Sequence, residues 1–180
     1  MSIGIGFALL FNLYMPDGER ALKEKQQLGE EKFKSLLKDM SIALTEKEKA
    51  TLPHVCQALL GEIKQGKQQA MVHSENQWRG EASYYEEYFT MRQSQARFLL
   101  AMVDLLQLFW VEEAYTNAFQ ELLSFTAQSF HENNDGNEIL AKIAALYEDY
   151  RQKPLPLTRA EFEKRAQLFQ ILQTFKSFIE

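Results

Sequence analysis

The chain is short of the residues that build irregular or extracellular folds: among 180 residues there are one cysteine, four prolines and eight glycines. One cysteine excludes an intramolecular disulfide and points to a reducing compartment. So few turn formers, set against abundant Ala, Leu, Glu, Lys, Gln and Phe, exclude the economy of a sandwich or barrel and predict long helices. There is no surplus of cations either. Twenty Lys and Arg against 25 Asp and Glu leave a net charge of −5, which argues against a nucleic-acid binder, because such proteins need cations to displace phosphate counterions. No internal repeat or low-complexity tract is found. What is present, 46% hydrophobic residues in a chain of this length, suffices for one buried core.

The first apolar stretch, Ile3 to Met15, has no polar face and stops at Pro16 and Asp17. It is shorter than the about 20 residues that a bilayer span requires. A secretory signal places its cations before the apolar run, whereas here Arg20, Lys23 and Lys25 follow it, as the positive-inside rule expects at the cytosolic end of a membrane helix. Composition leaves two readings open: the truncated end of a last membrane helix, or an N-terminal helix of the bundle core.

Beyond Pro16 the pattern is amphipathic. Leu22, Leu28, Phe33, Leu36, Leu37, Met40 and Leu44 mark one helix, and Val55, Cys56, Leu59, Leu60, Ile63, Ala70 and Met71 mark the next, which starts near Pro53. Thr45 with Glu48 and Ser83 with Glu86 have capping-box spacing. The most hydrophobic stretch, Ala82 to Trp110, is the expected central helix, and Arg92, Arg97 and Asp104 exclude it as a membrane span. A fourth helix carries Tyr115, Phe119, Leu122, Leu123 and Phe130 before the terminator at Asn133 to Gly136. A shorter one follows with Ile139, Leu140, Ile143, Leu146, Tyr147 and Tyr150. Pro154 and Pro156 predict an extended linker, Thr158 and Glu161 a capping box, and Phe162, Leu168, Phe169, Leu172, Phe175 and Ile179 the apolar face of the last helix. The expected fold is all-α: a mostly antiparallel bundle of about five long helices, with a short apolar N-terminal helix.

Catalytic patterns are missing. The residues three before His54, His73 and His131 are Thr51, Ala70 and Gln128, so no Glu-x-x-His pair exists for a two-metal carboxylate site. No zinc-protease motif, phosphate-binding glycine loop, dinucleotide fingerprint or nucleophile elbow is found. Cys56 lies on an apolar stripe and reads as an inert buried thiol. The expectation is no enzyme, no cofactor and no metal.

One segment stands apart, Tyr84 to Gln95, aromatic on one side and polar on the other. Arg92 and Gln95 share a helix face with Tyr88 close by. In one reading Tyr88, Arg92 and Gln95 form a ligand pocket in which rings stack on a small molecule and Arg92 holds its carboxylate. In the other the rings fill the core and Arg92 pairs with an acid of the Glu161 to Glu163 segment. Aromatic stripes at helical spacing are ordinarily core, which favours the second.

Three segments resemble the bacterial putative aromatic acid exporter family, in its C-terminal domain: Gly4-Ile5-Gly6 with Asn12 to Pro16, Tyr88 to Arg92 with Gln95, and Pro154 to Ala166. The resemblance implies residues 1–16 as the end of the last transmembrane helix and 17–180 as a cytosolic helical domain at the cell membrane. Its implied partner is the membrane domain of the parent transporter. The apolar N-terminal segment is the expected contact of a homo-oligomer. The family's motifs carry no assigned chemistry, so the resemblance transfers no catalytic or transport residue.

Overall fold

Helix formers fill six stretches of the chain, and each becomes a helix: α1 (Ile3–Ala43), α2 (Leu52–Glu75), α3 (Tyr84–Leu108), α4 (Glu113–Ser129), α5 (Asn137–Gln152) and α6 (Arg159–Ile179). The computed structural model describes residues 3–44, 50–75, 84–108 and 113–180, with side chains from 18 in α1 and from 116 in α4. The described residues contain no strand. The Thr45 and Glu48 box, Ser83, Phe109 and Trp110, and the side chain of Tyr115, lie outside them.

The separate N-terminal helix is not found. α1 is one helix of 41 residues that runs through Pro16. Proline forfeits its own N–H bond and strains the preceding turn, and here that does not end the helix. Among the described residues no helix is long and apolar enough to cross a membrane.

α2 packs on α3 and α1, α4 on α1, α6 on α3, and α5 lies between α4 and α6. Hydrogen bonds set the directions. Gln26 meets Tyr84 and Glu30 meets Arg92, so α1 and α3 run parallel, whereas Ser41 meets Gln120 and Ser124 beside a stacked Phe33 and Phe130, so α4 runs back along α1. One core joins all six helices, with Phe33, Phe89, Phe119, Phe175 and Phe178 at its centre. Gly66 lets α2 approach α3 closely, since a Cβ there would lie 2.5 Å from the Phe89 ring.

Several expected core positions face water: Leu28, Val55, Met71 and Phe162 are exposed, while Ile171 and Phe178 are buried. The reason is phase. The buried stripe of α1 passes through Leu22, Gln26, Gly29, Phe33, Leu36, Leu37 and Met40, and Leu28 stands about 100° from its neighbour Gly29. Apolarity alone places Leu28 on a stripe whose actual members include polar residues.

The breaks fall where their chemistry requires. Gly136 adopts φ 72° at the α4–α5 turn, where its N–H donates to Asn134 Oδ1 at 2.7 Å. Thr158 caps α6, its Oγ1 accepting from Glu161 N at 3.2 Å. Glu161 returns the bond to Leu157 N at 2.7 Å, one residue before the cap.

Candidate functional site

Tyr88, Arg92 and Gln95 lie at i, i+4 and i+7 on α3 and so share the face that α3 turns to α1 and α6. The structure brings all three together. Arg92 Nη1 donates to Gln95 Oε1 at 2.7 Å and Nη2 to Glu30 Oε1 at 3.1 Å. The Tyr88 hydroxyl donates to the same Glu30 oxygen at 3.4 Å, and Gln95 Nε2 donates to the Phe178 carbonyl at 3.0 Å, joining the end of α6.

The acid is thus Glu30 of α1, not Glu161 or Glu163. Those two are engaged where they stand: Glu161 completes the α6 cap, and Glu163 accepts from Arg159 Nε at 2.7 Å. Glu30 lies at the edge of the buried stripe of α1, between Gln26 and Phe33, with its side chain 16% exposed. An acid in that position needs a buried cation, and that was the signal available in the sequence.

Aromatic rings complete the surroundings. The guanidinium carbon is 4.3 Å from the Phe130 ring centre, 5.1 Å from Tyr88 and 5.8 Å from Phe33, so the charge is held by three ring faces as well as by Glu30. Burial pushes the Tyr88 hydroxyl up to about 12; Arg92 opposes that shift and Glu30 adds to it. Next to this group, Gln26 Nε2 donates to Tyr84 OH at 2.9 Å and to Glu132 Oε2 at 2.7 Å, and Tyr84 OH donates to Glu132. A continuous polar seam therefore binds α1 and α3 to the α4–α5 turn.

Room beside Arg92 is small. A cleft of about 40 Å³, lined by Arg92, Gln95, Phe130, His131, Asn134 and Ile139, offers the space of a water or two. Arg92 Nε is buried and has no hydrogen-bond partner among the described residues. Cys56 is fully buried, its Sγ 3.7 Å from the Ala96 carbonyl, and burial together with the charge of Asp104 pushes its thiol up to about 12. It has no thiolate to offer at neutral pH. Among the described residues no three His, Cys, Asp or Glu converge as metal ligands would.

A family model described as the putative aromatic acid exporter C-terminal domain matches residues 19–180. The chain belongs to that family. The chain is also 25% identical over 183 residues to the uncharacterized protein YqjA of Bacillus subtilis (strain 168), covering 99% of the chain and 56% of YqjA, so it spans just over half the length of that relative. A solved structure, a putative membrane protein from Clostridium difficile 630, shares the fold: the TM-score is 0.75 at 21% identity, over 89% of this chain and 94% of that one.

Proposed function

We propose that this domain is non-catalytic and sits on the cytosolic face of the cell membrane, docked to the membrane domain of its parent transporter and serving its assembly or regulation. In this reading residues 1–16 are the end of the last membrane helix and 17–180 the bundle. One observation carries it: α1 runs unbroken from the apolar start into the core, where Glu30 locks it to Arg92 of α3. A helix of 41 residues rises about 60 Å, so a shift or rotation at its apolar end is delivered to a buried charge pair as displacement, not absorbed by a loop. Family membership supports the membrane partner.

In the separate chain, the same apolar segment serves as a contact between copies. Fractionation of cells expressing the native reading frame tests the whole reading. The bundle should sediment with membranes and be cut by protease from the cytosolic side. Recovery in the soluble fraction, or protection from cytosolic protease, contradicts it.

A second reading, a small-molecule effector module at Tyr88, Arg92 and Gln95, rests on the unpartnered Arg92 Nε and requires the cleft of about 40 Å³ beside it to widen on binding. A thermal-shift titration with benzoate separates the two. The first reading expects no shift, and a saturable rise in Tm that Gln95→Ala abolishes supports the second.

A further inference from the structure

α5 begins without a side-chain cap. Gly136 stands at its N-cap with φ 72°, and no side-chain hydrogen bond closes the first turn, where a Ser, Asp or Asn would ordinarily accept from the N–H of Glu138 or Ile139. The close approach of α6 imposes the glycine. A Cβ at Gly136 would lie 2.6 Å from Ile179 Cγ2, in addition to the strain of a left-handed backbone. The first-turn N–H groups of α5 therefore keep the partial positive charge of an open helix end.

The cleft at that end is lined by Gly136 and Ile139 of α5, by Arg92 of α3, and by Phe130, His131 and Asn134. Arg92 is 3% exposed. With Nη1 given to Gln95 and Nη2 to Glu30, the nitrogen it has left is Nε, buried and without a partner among the described residues. The polar groups beside it are already committed: Asn134 donates to the Ser129 carbonyl and accepts from Gly136 N, and Gln95 accepts from Arg92 and donates to the Phe178 carbonyl. No carboxylate lines the cleft. The acids of the turn face elsewhere, Glu132 toward Gln26 and Tyr84, and Asp135 toward Asn137.

What converges on the cleft is a guanidinium N–H and an uncapped helix end, two donors that both favour negative charge. A water there would add two donors of its own to a site already rich in donors. The volume of about 40 Å³ admits an atom-sized ion and no ring.

We propose that this cleft binds one halide ion, chloride, between Arg92 Nε and the first-turn N–H groups of α5. The ion supplies the acceptor that Gly136 lacks and ties the α4–α5 turn to α3. The proposal goes beyond both functional readings: it needs no membrane partner, and a halide, unlike benzoate, enters without widening the cleft.

Urea unfolding of the full chain tests it, with sodium gluconate replaced stepwise by sodium chloride up to roughly 0.3 M at constant ionic strength. The midpoint should rise and saturate, as for a ligand that binds the folded state alone. His131→Glu places a carboxylate on the lining of the cleft; it should keep the wild-type helical signal in gluconate and raise the half-saturating chloride concentration about tenfold or more. Crystals grown in sodium bromide should show one anomalous peak in the cleft, beside Arg92. A midpoint that does not respond to chloride overturns the proposal, as does a rise that fails to saturate or is equal in His131→Glu, which would be a general salt effect. Density in the cleft without a bromide signal also overturns it and assigns the place to water.

Discussion

Arg92 is 3% exposed and Leu157 is 93% exposed, an inversion of where a cation and a leucine ordinarily reside. The seam between α1 and α3 holds its charge because every neighbour answers it: Glu30 with the opposite charge, Gln95 with a carbonyl oxygen, and Phe130, Tyr88 and Phe33 with ring faces. The arm of residues 153–166, from the end of α5 through the first two turns of α6, shows its leucines because α6 begins two turns before α5 can cover it. Topology decides burial in both places. What distinguishes them is the consequence of change, since a buried charge that loses its partner is costly while an exposed side chain is nearly free to vary.

The largest expected effect lies in the seam. Arg92→Met strands Glu30 and should cost about 3 kcal/mol, read as a fall in the urea midpoint at constant slope.

Next comes alkaline pH. Cys56 and Tyr88 hold their protons up to about 12 in the fold, while the unfolded chain releases them near 9 and 10. Between those limits the folded state binds more protons, so this contribution is fully present below about pH 9 and lost as pH rises toward 12, by on the order of 2 kcal/mol at pH 10. Tyr88→Phe should flatten part of that slope in urea titrations run at stepped pH.

At the base of the arm, Thr158→Ala removes the acceptor for Glu161 N and should cost about 1 kcal/mol, measured by thermal unfolding of the monomer. The smallest effect is expected at the tip, where Leu157→Ser should change monomer stability by less than about 0.5 kcal/mol. A larger loss there would mean that the tip is packed and would erase the contrast.

The arm and the seam also differed in how far the sequence disclosed them. Thr158 with Glu161, Pro154 with Pro156, and Asn133 to Gly136 act within one turn of chain, so spacing alone located those breaks. Cys56 was readable because its neighbours on α2 fix its face. Arg92's partner was not, because Glu30 lies 62 residues away and is selected by how α1 lies on α3. Glu161 and Glu163 are no nearer in sequence, and Glu161 is already committed to its cap. Gln26 and Glu30 are hidden for the same reason that Leu28 misleads: apolarity suggests the stripe, but helical phase decides it. The grouping of Tyr88, Arg92 and Gln95 was legible, whereas Phe33 and Phe130, from α1 and the end of α4, join it only through tertiary packing.

The central claim is that Glu30 and Arg92 act as one unit locking α1 into the bundle. A double-mutant cycle tests it most directly: urea unfolding of wild type, Glu30→Leu, Arg92→Met and the combination. The account predicts that each single change costs about 3 kcal/mol, and that the combination costs at least about 2 kcal/mol less than their sum, because neither charge is then left alone. Additivity within about 0.5 kcal/mol would contradict it, showing that the two residues do not depend on each other and that α1 is held by its apolar stripe alone.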